Sequence, residues 1–129
     1  MKKKYLIVIA DYYQNIAKGL LSSSLRLIPK NSSVKIINVP GVFEIPVTIS
    51  KNIKKYDAFL ALGCVIKGKT PHFDFISQAS TNAIMDLSVR NKKPIGNGII
   101  TCLNMKQAIL RKKKGAEAAK AVNSVLSQK

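Results

Sequence analysis

Leu62-Gly63-Cys64-Val65-Ile66-Lys67-Gly68-Lys69-Thr70-Pro71-His72-Phe73-Asp74-Phe75 is the stretch that decides the fold. It closes an apolar run that starts at Ala58 and reaches Ile66, broken only by Gly63. The chain then passes through a loop of Gly, Lys, Thr and Pro to its single histidine. Directly afterwards Phe75, Ile76, Ala79, Ala83, Ile84 and Leu87 recur at helical spacing, to about Arg90. A buried strand, a polar loop at its carboxyl end and a helix start are the parts among which open α/β sheets bind ligands. The loop's backbone N–H groups and lysines suit a phosphate or another anion.

The same alternation extends outward in both directions. Tyr5-Leu6-Ile7-Val8-Ile9-Ala10 is continuously apolar, the mark of a strand covered on both faces. Ile16, Leu20, Leu21, Leu25, Leu27 and Ile28 predict a helix that Pro29 stops, and Val34–Val39 predicts a second strand. Val39-Pro40-Gly41 forces a tight bend, and Phe43–Lys54 reads as a helix with Pro46 in its first turn. Beyond the turn at Asn91-Lys92-Lys93-Pro94, Ile95–Thr101 is a fourth strand, in which Gly96-Asn97-Gly98 implies a bulge or a close backbone approach. Asn104 is placed to cap a helix through about Arg111, and Gly115 separates it from a last helix, Ala116–Ser127. The expected fold class is α/β: a three-layer, flavodoxin-like sandwich with a four-stranded parallel sheet and helices on both faces.

With 129 residues, 47% of them hydrophobic, the chain is expected to form one domain with a real core. No apolar run is long enough to span a membrane. Met1-Lys2-Lys3-Lys4 precedes an apolar segment, but Asp11 ends that segment and no small-residue cleavage site follows. A first strand in a cytoplasmic protein is therefore expected. Cys64 and Cys102 lack metal-ligand spacing and read as reduced, core-like residues. The net charge of +16 raises a nucleic-acid or membrane-surface role. Yet the lysines are scattered along helices and termini, apart from Lys112-Lys113-Lys114, and aromatic residues that could stack on bases are few. A lysine-rich composition accounts for them, and no specific nucleic-acid partner is expected.

His72 is the candidate proton carrier, with an ordinary pKa of about 6.5 and Asp74 close in sequence. No nucleophile motif accompanies it, and Lys67-Gly68-Lys69-Thr70 lacks the spacing of a nucleotide phosphate loop. A single phosphate on a small substrate fits better. Arg111 beside Lys112–Lys114 is either a solvated charge run or a bidentate phosphate ligand. Val39-Pro40-Gly41-Val42-Phe43-Glu44-Ile45-Pro46 reads as a tight turn with Phe43 in the core, or as a site wall with Glu44 set for hydrogen bonds to a polyol or amide. Tyr12, at the end of the first strand, can stack on a planar ring.

The blocks Val39–Pro46 and Leu62–Asp74 are long and specific, and with them the chain resembles the 6,7-dimethyl-8-ribityllumazine synthase family. Pro94-Ile95-Gly96-Asn97-Gly98-Ile99-Ile100-Thr101, Gln107-Ala108-Ile109 with Arg111, and Lys114-Gly115-Ala116-Glu117-Ala118-Ala119 follow in the family's order. The resemblance implies a single lumazine-synthase-like domain over residues 1–129, assembled as a homopentamer or a multiple of pentamers, with active sites between neighbouring subunits. It implies a transferase of riboflavin biosynthesis that needs no cofactor and no metal. Its substrates would be 5-amino-6-(D-ribitylamino)uracil and 3,4-dihydroxy-2-butanone 4-phosphate, joined with loss of phosphate and water. By position, Tyr12 would stack on the pyrimidine, and Val42, Phe43 and Glu44 would line the ribityl side. Cys64, Val65 and Ile66 would contact the pyrimidine, Lys69 and Thr70 the butanone phosphate, and His72 would donate the proton. From the adjacent subunit Asn97 would border the pyrimidine, and Arg111 and Lys114 would meet the phosphate. Asn97 departs from the aromatic residue many members carry there, and the chain between Arg111 and Gly115 is several residues shorter than in many members. A basic nucleic-acid-binding module would explain the charge without the ordered strand-end blocks.

Overall fold

The computed structural model describes residues 2–69 and 71–128. In chain order they form β1 (Lys4–Ala10), α1 (Gln14–Leu25), β2 (Ser33–Val39), a 3-10 turn (Val42–Glu44), α2 (Ile45–Asn52), β3 (Ala58–Ile66), α3 (His72–Asn91), β4 (Ile95–Cys102), α4 (Met105–Arg111) and α5 (Gly115–Leu126). The four strands are parallel and lie in the order β2-β1-β3-β4. Residue alternation along the two central strands creates two cores. Tyr5, Ile7, Ile9, Leu60 and Leu62 face α1 and α5, meeting Ile16, Leu20 and Val122. Leu6, Val8, Phe59, Ala61 and Val65 face the other way, meeting Ile45, Ile49 and Ile84 of α2 and α3. The fold is the expected flavodoxin-like three-layer α/β sandwich.

Local differences from the sequence reading have local causes. α1 ends at Leu25, and Leu27 and Ile28 continue it only as tight turns, their N–H groups donating to Ser24 O and Leu25 O at 3.1 and 3.4 Å. The second helix is shorter than expected, because Val42–Glu44 winds as a 3-10 turn and α2 stops at Asn52. Pro46 falls in α2's first turn, where its missing N–H has no intrahelical partner to lose. α3 starts at His72, ahead of its first apolar-face position Phe75, since Asp74 and Phe75 both donate to Pro71 O. Asn104 caps α4 as expected, its side chain accepting from Gln107 N at 2.9 Å.

β4 carries no bulge: its register with β3 is continuous from Phe59–Ile95 to Ile66–Cys102. The alternative, close approach, is what the glycines serve. A side chain at Gly96 would collide with the carbonyl of Ala118 in α5, and one at Gly115 with the carbonyl of Leu20 in α1. Gly115 is thus the first residue of α5 and its docking point on α1, rather than a separator before the helix. Among the described residues no helix is long and apolar enough to cross a membrane. Gly96→Ala is expected to cost about 1–3 kcal/mol by overpacking against a backbone that cannot move alone. An unchanged urea midpoint would contradict the backbone-to-backbone seating of α5 on β4.

Candidate active site

The order in which strands join the sheet reverses between β1 and β3, which are parallel neighbours although α1, β2 and α2 separate them in sequence. Loops leaving the two strands part at that point and leave a crevice at their carboxyl ends. A cavity of about 350 Å³ lies there, walled by Tyr12 and Tyr13 from β1's exit, Gly41 and Val42 from β2's exit, Cys64, Val65 and Ile66 from β3, and His72 with Ile76 from α3. A second, of about 570 Å³, is lined by Val42, Phe43, Glu44, His72, Phe75 and Ala79. Gly41, Val42, His72 and Ile76 belong to both, so His72 stands on the rim where one hollow passes into the other.

The floor of this crevice is held by backbone pairing. Asp11 N donates to Val39 O at 3.2 Å and Lys67 N to Cys102 O at 2.9 Å, fastening each strand exit to its neighbour. Asn38 Nδ2 adds a bond to Asp11 Oδ2 at 3.0 Å. The rim is solvated: Tyr12, Phe43, Lys67, Lys69 and His72 are exposed. His72 occupies the first turn of α3 with Asp74, whose carboxylate suits the positive end of the helix dipole. Phe43 is 64% exposed and so is not the core residue that the structural reading of its turn required. Glu44 lies with its carboxylate over Gly41.

The structure therefore brings Tyr12, Val42, Phe43, Glu44, Cys64, Val65, Ile66 and His72 around one continuous crevice. Lys69 is exposed on the loop beside it, and Thr70 lies outside the described residues. Arg111 and Lys114 line a separate hollow of about 220 Å³ with Lys113 and Glu117, and Arg111 Nη1 donates to Thr101 O at 3.3 Å. Asn97 is exposed on β4, its Oδ1 accepting from Ile99 N at 3.0 Å. None of these three reaches the crevice of its own chain. Tyr13, Ile76 and Phe75 are wall residues that the sequence reading did not place in the site. Ile76 and Phe75 were legible only as a helix's apolar face. Tyr13 packs edge-on against Tyr12 with ring centres 4.9 Å apart, which fixes the exposed ring of Tyr12 from behind.

Burial, reinforced by neighbouring Cys102, pushes the Cys64 thiol up to about 12. Cys64 thus presents a neutral, weakly polar surface to the crevice and no nucleophile. Burial likewise raises Tyr13, with smaller contributions from Cys64 and Tyr12.

A family model described as 6,7-dimethyl-8-ribityllumazine synthase matches residues 2–129. The chain is 39% identical over 133 residues to the 6,7-dimethyl-8-ribityllumazine synthase of Cutibacterium acnes, covering 96% of this chain and 80% of that one. It is 41% identical to the enzyme of the same name from Methylobacterium radiotolerans, covering 98% and 82%. With that from Bartonella tribocorum it shares 41% identity over 100% of its own length and 93% of the relative's.

The raised thiol has a consequence for stability. Folding favours the protonated form, so its contribution is complete below the ordinary thiol value of 9.0. Above that pH the unfolded chain loses the proton first, and stability falls as pH climbs towards the folded value. Urea midpoints are expected to decline above about pH 9, with a shallower decline in Cys64→Ala. An equal slope in the two proteins would remove Cys64 as a cause.

Proposed function

The chain belongs to the 6,7-dimethyl-8-ribityllumazine synthase family, and on that premise we propose that the crevice around His72 is where it forms its product. The enzyme condenses 5-amino-6-(D-ribitylamino)uracil with 3,4-dihydroxy-2-butanone 4-phosphate to 6,7-dimethyl-8-ribityllumazine, releasing phosphate and water, in the penultimate step of riboflavin biosynthesis. The observation that carries the assignment of the site is the joint lining of one crevice by Tyr12, Val42, Cys64–Ile66 and His72.

In this reading the pyrimidine lies against Tyr12, with Cys64, Val65 and Ile66 beneath it. The ribityl chain runs past Val42 and Phe43 towards Glu44, whose carboxylate accepts from hydroxyl groups. Lys69 and Thr70 hold the butanone phosphate. The substrate amine attacks the ketone, and the resulting carbinolamine must gain a proton on oxygen to leave as water and form an imine. His72 delivers and recovers such protons at the junction of the two hollows. Elimination of phosphate develops negative charge on its oxygens, which cations stabilise without moving. The ring platform and ribityl contacts hold the amine and ketone in reacting alignment, and much of the acceleration comes from that positioning.

Arg111, Lys114 and Asn97 complete the site from an adjacent copy, the phosphate falling to Arg111 and Lys114. The separation of these residues from the crevice of their own chain supports this, as does the exposure of Phe43 and Phe75 beside the crevice. The reading makes residues 1–129 one domain of a homopentamer, or of a multiple of pentamers, with active sites at its interfaces. A cytoplasmic location agrees with the two unpaired thiols.

Mixing the protein with both substrates and following phosphate release and lumazine absorbance tests the reaction, and a signal no faster than the uncatalysed background would defeat the assignment. His72→Gln is expected to lower turnover by about a hundredfold or more with the assembly unchanged in light scattering. His72→Ala and Arg111→Ala, each feeble alone, are expected to regain about a quarter of wild-type activity when unfolded and reassembled together, because a shared interface can pair one intact residue from each chain. No recovery in the mixture would confine the site to one subunit.

A further inference from the structure

One group of the lysines scattered along the sequence comes together in space. All four strands run the same way, so every turn that enters a strand lies at the end of the sheet opposite the crevice. Those turns carry exposed Lys3, Lys30, Lys54, Lys55 and Lys92. Hydrogen bonds knit the turns into one surface. Ser33 N donates to Lys3 O at 2.9 Å, Asp57 N to Lys4 O at 2.8 Å and Phe59 N to Pro94 O at 3.1 Å. Lys93 Nζ reaches across from the end of α3 to Ile53 O, at 2.8 Å, beyond the end of α2.

The acids are distributed the other way. Of the six Asp and Glu residues, Asp11, Glu44, Asp74 and Glu117 sit at strand exits or helix starts on the crevice side. The two that remain near the basic end are engaged: Asp57 Oδ2 accepts from Lys4 N at 2.8 Å, and Asp86 pairs with Arg90 at 2.9 Å. Helix dipoles account for only part of the arrangement: Lys54 and Lys55 closely follow the end of α2 and Lys92 caps α3, whereas Lys3 and Lys30 adjoin no helix end. Lys92 goes further. It caps α3 in the left-handed region with φ 54°, a position that glycine fills without strain and a lysine does not. Beside Lys3, a hollow of about 390 Å³ edged by Asn31, Ser32 and Ser127 adds hydroxyl and amide donors.

We propose that this amino-terminal end of the sheet is a nucleic-acid-binding face that grips the phosphate backbone without reading base sequence. Point-like ammonium groups on linked turns match a regular row of phosphates. The exposed aromatic rings Tyr12, Phe43 and Phe75 all lie at the crevice end, so stacking on bases takes no part. The turns offer no amphipathic helix to enter a bilayer, which sets a membrane surface aside. The face lies across the sheet from the active site, so occupancy leaves turnover untouched.

The test is fluorescence anisotropy with a labelled, mixed-sequence DNA duplex of about 20 base pairs, with affinity expected to fall about a hundredfold between about 50 and 200 mM salt. A duplex of unrelated sequence should bind equally. K54E/K55E/K92E should weaken binding at least about tenfold and flatten the salt slope, with turnover unchanged as the check on folding. Lys92→Gly, which relieves the backbone, should raise the melting temperature while weakening binding. Absence of binding at low salt would overturn the proposal. So would an equal loss in K18E/K106E, which lie near the starts of α1 and α4 at the opposite end of the sheet, or tighter binding to phosphatidylserine vesicles than to the duplex.

Discussion

Parallel strands covered by helices on both faces have no place for a polar side chain, and β1 and β3 are the two that live under this condition. From Tyr5 to Ala10 and from Ala58 to Val65 every residue is buried. Each large aliphatic side chain taken out of water there contributes about 1.5–3 kcal/mol, divided between two separate cores. Polar chemistry must then wait until the strands end. The crevice lies where it does because Ala10 and Ile66 are the last residues the core can own, and the next ones, Asp11 to Tyr13 and Lys67 onward, are released to solvent side by side.

This division gives the site a firm floor and an open rim. The floor, Cys64 to Ile66, is part of the sheet and cannot shift without breaking strand pairing. The rim consists of exposed side chains on short loops and helix starts. A reaction that depends on holding two substrates in register needs the first, and exchange of substrate and product needs the second. The neutral thiol of Cys64 belongs with the floor: it fills space at the base of the crevice without offering a nucleophile.

How much of this was legible in the chain depended on the range of the cause. The strands were plain because burial on both faces writes an unbroken apolar run, and Asn104's cap was plain because its partner is three residues away. The 3-10 turn at Val42–Glu44 was hidden, since Phe43 looked like the start of a helical stripe until its exposure was seen. Gly115 looked like a helix boundary because the carbonyl that demands it, that of Leu20, is remote in sequence. The lysine distribution failed most instructively. Charges separated by whole βα units look random along a line, and only a parallel topology brings Lys3, Lys30, Lys54, Lys55 and Lys92 to one end. Tyr13's part in the site was equally invisible, as it acts through its neighbour's ring.

One small feature bears on how such molecules keep company. β4 is an edge strand, and its odd-numbered residues turn their peptide groups outward, away from β3. Two of those outward groups are already occupied by the chain itself: Ile99 N–H by the side chain of Asn97, and Thr101 C=O by Arg111. An open parallel edge invites a foreign strand to extend the sheet, the route to runaway aggregation. Here an incoming strand would first have to displace an amide and a guanidinium. Side chains along β4 stay available for contact, while strand-to-strand extension of the sheet, which nothing would tell to stop growing, is resisted.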